Sequence, residues 1–296
     1  MKKWIKIGTG ITAAIFVVFV GISGYLGYTM TRVHRVPVTG SPDLLGLAYE
    51  NVSFPGIDKN ITLRGWLLPG QNKGQIIIMV HGVDANRVDA SIGTLEIASG
   101  LVAHGFSVLM FDLRGHGESD GNMVSGGYYE KRDLEGAANF AKERGFTHIG
   151  VLGFSLGAVT SILAAAEDQD IDAVVSDSSF ADLTDIMKSE FSKRTKAPQF
   201  LLNPLLFMIK IMYRVDFNAV KPVECVGQIA PRPVFFIHGE ADDGIPFKHA
   251  LKLWEASHNP QAELWIVPGA GHTRAYKTNP EEYMSRVTAF FDSALR

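Results

Sequence analysis

A serine set between two glycines, Gly153-Phe154-Ser155-Leu156-Gly157, is the group in this sequence whose setting most directly suggests chemistry. The stretch reads G-x-S-x-G. The apolar run at 148–152 before it fits a buried strand, and the Ala-, Leu- and Ile-rich run at 156–167 fits a helix. A serine at so sharp a strand-to-helix bend is pushed outward, and the flanking glycines avoid side-chain clashes there. A hydroxyl is a weak nucleophile at neutral pH. It needs a base to take its proton and a carboxylate to orient that base.

Open parallel sheets build their sites at the carboxyl ends of strands, so the base and the acid are sought just past later strands. His272 follows the apolar run 263–267 in Pro268-Gly269-Ala270-Gly271-His272, a glycine-rich turn able to bring an imidazole over the sheet edge. For the acid, the pattern H-G-x-x-D-x-x-[VI]-P from His238 to Pro246 selects Asp242, with Asp243 as a neighbouring loop residue. Asp177, past another strand, is the alternative acid. The chain order Ser, Asp, His is the one this architecture uses. An oxyanion hole needs two backbone N–H donors. Leu156, first in the helix after the nucleophile, supplies one, and Val83, in the loop after the third strand, supplies the other. His238 reads as a loop-packing residue.

Around these residues the chain alternates. Strands are expected at 50–54, 61–68, 75–80, 106–111, 148–152, 172–176, 233–237 and 263–267. Helices are expected at 88–103, 128–144, 156–167, 246–257 and 281–295. Most strands are continuous apolar runs, which means both sheet faces are covered by helices. The expected fold is therefore α/β, with eight strands, the first pair antiparallel and the rest mostly parallel. Residues 181–230 interrupt the alternation. They are too long and too apolar for an idle loop and should form a small helical cap over the carboxyl edge, most of their apolar side chains packing into the cap itself.

Five segments together, Val80-His81-Gly82-Val83, Asp112-Leu113-Arg114-Gly115-His116-Gly117-Glu118-Ser119, Gly153–Gly157, His238-Gly239-Glu240-Ala241-Asp242 and Gly271-His272, resemble the α/β-hydrolase superfamily over residues 47–296. The likeness is closest to esterase-like and serine-aminopeptidase-like bacterial members with a small cap. It implies a serine hydrolase acting through an acyl-enzyme on a small-molecule ester, short to medium or lipid-like in its acyl group. It also implies a structural role for the D-x-R-G-x-G-x-S segment, so Arg114 and His116 are not expected to be catalytic. The HGGG motif of one esterase branch is missing, and a Ser nucleophile argues against dehalogenase and epoxide-hydrolase chemistry. The same triad could serve a peptidase or amidase, although the cap has no cluster of acids to hold a substrate amine. A non-catalytic binding protein on this fold is the remaining alternative. The chemistry needs no cofactor or metal, and the sequence carries no H-E-x-x-H, phosphate loop or dinucleotide fingerprint.

Composition bounds the rest. A length of 296 residues with 46% hydrophobic content supports a large core, and a net charge of −3 is no footprint of a nucleic-acid binder. A single cysteine, Cys225, excludes an intrachain disulfide. Residues 7–31 are uncharged and mostly apolar, with Lys2, Lys3 and Lys6 before them and Arg32 and Arg35 after. That length suits a membrane anchor better than a cleaved signal peptide, the rival reading. The expected organisation is an anchor at 1–35, a linker at 36–46 and a hydrolase domain at 47–296, held at the cell membrane with the catalytic domain outside the cytoplasm.

Overall fold

A computed structural model describes residues 2–296, apart from the side chains of Lys2, Lys3, Lys193 and Arg194, so the lysine flank at positions 2 and 3 lies outside the described side chains. A long helix, α1 (Lys2–Thr31), is followed by β1 (Glu50–Pro55), β2 (Thr62–Leu68), β3 (Gln75–Val80), α2 (Thr94–Ala103), β4 (Ser107–Phe111) and α3 (Glu130–Glu143). Next come β5 (His148–Phe154), α4 (Leu156–Glu167) and β6 (Ala173–Asp177), then the inserted helices α5 (Leu183–Thr195), α6 (Leu202–Tyr213) and α7 (Pro222–Cys225). The chain finishes with β7 (Val234–Gly239), α8 (Lys248–Ser257), β8 (Glu263–Val267), α9 (Ala275–Thr278) and α10 (Pro280–Ala294).

The strands form one sheet in the order β1-β2-β4-β3-β5-β6-β7-β8. β2 pairs antiparallel with both β1 and β4, and all later neighbours are parallel. Successive strand residues face opposite sides, so a strand buried on both faces must be apolar throughout. Ile76, Ile78, Val80 and Val151 enter one core with Leu134 and Ala137 of α3, Ile162 of α4 and Leu253 of α8. Ile77, Met79 and Leu152 enter the other with Ile97 and Leu101 of α2 and Val287 and Phe291 of α10. The sheet lies between these two helical layers, as the unbroken apolar runs predict.

The elements differ from the sequence expectation mainly at their ends. The helix expected from residue 88 begins only at Thr94. Residues 87–93 are instead held in turns: Asp89 Oδ1 accepts the Ser91 N–H, Thr94 Oγ1 accepts the Asp89 N–H, and Gly93 takes φ +91°. Short polar side chains that bond nearby backbone compete with a helix in this way. β5 and β7 each run two residues further than expected, so Gly153 and Gly239 lie within strands.

Within the cap, Leu202, Leu205, Leu206 and Ile209 of α6 are buried with Phe191 and Phe217, whereas Phe200, Phe207 and Ile211 are exposed. α1 joins this cluster. Its stretch Trp4–Thr31 contains an 18-residue window of mean hydropathy 2.1 and is, among the described residues, the one helix long and apolar enough to cross a membrane. Its last turns pack on α6: the Tyr213 hydroxyl donates to the Gly24 carbonyl at 2.8 Å, and a side chain at Gly27 would collide with the Tyr213 ring. The chain leaving α1 is then strapped to the loop after β4. Val124 N–H donates to Thr31 O at 2.8 Å, and the Arg35 guanidinium donates to the carbonyls of His116, Gly117, Ser119 and Gly121. Four carbonyls converging on one partly exposed cation contribute about 1–2 kcal/mol after solvent competition. Arg35→Met is expected to lower the unfolding free energy of the full-length protein by that amount in a urea titration. An unchanged midpoint would contradict the strap.

Candidate active site

Ser155 lies where β5 turns into α4, with φ +52° and ψ −112°, a conformation that non-glycine residues avoid. Two close approaches fix the turn. A Cβ at Gly153 would overlap the Gly157 carbonyl, and one at Gly157 would overlap the Val80 carbonyl at the end of β3. The Ser155 N–H donates to Asp177 O at 2.9 Å, tying the turn to β6. The seryl Oγ is thereby lifted above the carboxyl edge of the sheet.

His272, past β8, meets it. The Ser155 hydroxyl donates to His272 Nε2 at 2.9 Å, and His272 Nδ1–H donates to Asp242 Oδ2 at 2.6 Å. The tautomer follows from the two partners: the nitrogen facing a carboxylate carries the proton. Asp242 sits in the loop after β7, its other oxygen accepting the N–H groups of Gly244 and Ile245 at 3.1 and 2.8 Å. Burial opposes its charge, but hydrogen bonds from His238, His272 and the Ile245 N–H prevail and hold the carboxyl well below the usual carboxylate range. It stays an anion facing the imidazole.

The other acids are not brought to His272. Asp243 is exposed in the same loop. Asp177 is buried, accepting the hydroxyls of Ser178 at 2.9 Å and Tyr283 at 3.1 Å. It acts one step back, because Ser178 Oγ also accepts the Thr273 N–H at 3.0 Å and so steadies the residue after His272. His238 does more than pack its loop. Its Nε2 lies 2.6 Å from the Ile245 carbonyl and 3.2 Å from Asp242 Oδ2, the same carboxylate oxygen that His272 engages. The H-G pair at the strand end marks this histidine, but no spacing rule links it to the carboxylate.

Leu156 opens α4, so its N–H has no partner within the helix. Val83 and Leu156 both line the cavity beside Ser155. The Val83 loop is braced by His81, whose Nδ1–H donates to Gly82 O at 2.7 Å and whose Nε2 accepts the Leu113 N–H at 3.0 Å. Burial pushes this imidazole down to about 3, in keeping with an accepting nitrogen. Residues of the segment from Asp112 to Ser119 make contacts that hold the loop. Asp112 accepts the N–H groups of Arg87 and Glu118, and Arg114 grips buried Asp133 through Nε and Nη2.

The cavity holds about 260 Å³ and is lined almost entirely by apolar side chains. Leu183, Ile186 and Met187 come from α5, Phe217 from the end of the cap, and Met30 from α1. Met30 carries no chemical signature in the sequence; only the docking of α1 reveals it as a wall. Among the described residues no group of three or more His, Cys, Asp or Glu gathers as a metal site.

The sequence profile of the prolyl oligopeptidase family matches residues 96–296. The chain is 31% identical to the Bacillus subtilis protein YqkD over 238 residues, covering 78% of this chain and 75% of that one. It is 30% identical to the polyketide transferase ATR5 of Stachybotrys chlorohalonatus, over 83% of this chain and 98% of the other. Its structure is similar to that of the Pyrococcus furiosus esterase Pf2001, with a TM-score of 0.75 and 27% identity over 90% of this chain and 99% of the esterase.

Burial pushes the Asp177 carboxyl up to about 6. The folded protein thus holds this proton more tightly than the unfolded chain, whose value is near 3.8. Its contribution to stability is full below about pH 4 and is lost as the pH rises through about 6. Asp177→Asn, which stays neutral, is expected to flatten the decline of unfolding free energy between pH 4 and 6 in denaturant titrations. An identical pH profile in the variant would contradict this account.

Proposed function

The chain belongs to the prolyl oligopeptidase family within the α/β-hydrolase superfamily, and from that premise we propose that it is a serine hydrolase cleaving carboxylic esters. The observation that carries this reading is the hydrogen-bonded line from Ser155 through His272 to Asp242, opening on an apolar cavity. Ser155 Oγ attacks the ester carbonyl as His272 Nε2 takes its proton. The tetrahedral oxyanion rests on the N–H groups of Leu156 and Val83. Collapse breaks the C–O bond, and the alcohol leaves with the proton from His272. Water then attacks the acyl-enzyme, giving a proton to His272, and the acid departs as that proton returns to Ser155 Oγ. Asp242 keeps Nδ1 protonated throughout and stabilises the imidazolium.

The apolar lining favours an acyl chain over a charged substrate group. A second reading, peptide or amide hydrolysis by the same residues, is favoured by the family's name. The absence of any carboxylate from the lining of the cavity beside Ser155 weighs against it where the substrate presents a free amine. ATR5 is a polyketide transferase, which raises transfer of the acyl group to a second nucleophile in place of water.

α1 is read as a single-pass anchor whose membrane span lies within residues 7–31, with the hydrolase at 47–296 on the outer side of the cell membrane. The packing of Gly27 and Met30 and the strap of Arg35 support retention of this segment over its removal as a signal peptide.

Ser155→Ala is expected to reduce turnover of p-nitrophenyl butyrate by about 10⁵–10⁶-fold, and Asp242→Asn by about 10³–10⁴-fold. Aminoacyl p-nitroanilides run in parallel separate the two bond types. Undiminished ester turnover by the Ser155 variant would overturn the assignment, and faster cleavage of the anilides would move it to the amidase reading.

A further inference from the structure

A helix that crosses about 30 Å of hydrocarbon needs about 20 residues. In α1 the stretch free of other protein contacts is shorter than that. Residues 4–18 are exposed, but from Phe19 onward one face is covered, with Ser23, Gly27 and Thr31 buried and Val20, Leu26 and Met30 half-buried. At 1.5 Å per residue, residues 4–18 span only about 22 Å. Counted from Ile7, the residue after Lys6, about 20 residues reach Leu26, two turns into the docked part. A bilayer thick enough for α1 must therefore extend alongside the cap.

The cap surface at that level is suited to lipid. α6 touches α1 through Met212 at Gly24 and through Ile209 and Tyr213 at Gly27. On the side of the cap helix turned away from that contact, an apolar stripe runs through Ile211 and Phe207 to Phe200, at spacings of four and seven residues. These three side chains are 59%, 61% and 74% exposed. The neighbouring cation, Lys210, is paired with Asp216 and can keep its head group in water. Tyr25 and Tyr28 stand exposed on α1 beside the docked turns, where aromatic rings favour a membrane–water interface. One turn past Leu26, Met30 forms part of the wall of the cavity that holds Ser155.

We propose that the cap is seated in the leaflet at the carboxyl end of α1, and that the cavity is loaded from the bilayer with the acyl chain of an amphiphilic lipid ester. The proposal rests on the ester-hydrolase and anchor readings above and adds the substrate's source and class. An acyl chain in that leaflet lies beside Phe207 and Ile211, with the apolar cavity beyond Met30. The scissile carbonyl of a lipid ester, close to the head group, is the part of the molecule nearest water and nearest Ser155.

The test uses full-length protein reconstituted in phosphatidylcholine vesicles. The double variant Phe207→Asp/Ile211→Asp is expected to hydrolyse p-nitrophenyl butyrate within twofold of the parent. It is expected to lose at least tenfold in turnover of a fluorogenic long-chain diacylglycerol embedded in the bilayer. Equal turnover of the embedded ester by parent and variant would overturn the proposal. A second measurement needs no activity. An environment-sensitive fluorophore on Ile211→Cys, in a Cys225→Ser background, should be quenched by nitroxide-labelled lipid, and an unquenched probe would likewise overturn it. If the parent hydrolyses neither ester, the ester-hydrolase reading fails, while the quenching result still decides where the cap sits.

Discussion

Ser155 holds a backbone angle that L-residues resist, and it does so because glycine stands two residues to either side. The requirement reaches well beyond the turn. β5 must end beside β3 closely enough that Gly157 packs on the Val80 carbonyl, and α4 must start there at once. Every residue of α4 from Leu156 to Ala166 is buried, so the helix cannot swing away to relax the serine. Backbone strain of order 1–3 kcal/mol persists only where the surroundings over-determine it. Here the sheet's central strands, the buried helix and the Ser155–Asp177 backbone bond all do so.

The same sheet order sets the polar partners. β7 lies two strands from β5 and β8 three, so the loops after them reach over the same edge from one side. The acid is then fixed by two backbone N–H groups on one oxygen and by His272 and His238 on the other. A carboxylate so held keeps its charge despite burial, and Asp177, lacking such imidazole or backbone donors, moves the opposite way. Two aspartates at adjacent strand ends therefore acquire opposite electrostatic characters, and only one faces the imidazole. Hydrolase membership and an apolar cavity beside the serine agree with this division of labour.

Much of this was legible in the residues. Apolar runs such as Ile76–Val80 read as doubly buried strands, and the glycines around Ser155 mark a tight strand-to-helix turn. The chain order of Ser155, Asp242 and His272 followed from where strands end, and the structure brings those three within hydrogen-bonding distance. What was not legible depends on packing between distant segments. Residues 88–93 have helical spacing, yet Asp89 and Thr94 fold them into turns around Arg87 and Asp112. His238 looks like any strand-end histidine until the loop carries Asp242 back against it. The docking of α1 is least visible: a membrane-length apolar run and a cap helix each satisfy their own patterns, and nothing local says that Gly27 fits Tyr213 or that Met30 reaches the cavity.

The central claim is that Ser155 is a nucleophile activated by His272 and fixed by Asp242. Reaction of the full-length protein with a fluorophosphonate, followed by peptide mass mapping, tests it most directly. The account predicts one phosphonyl adduct, on Ser155, which disappears in a folded His272→Ala variant. An adduct on a different residue, or a folded protein that takes up no phosphonate, would contradict it.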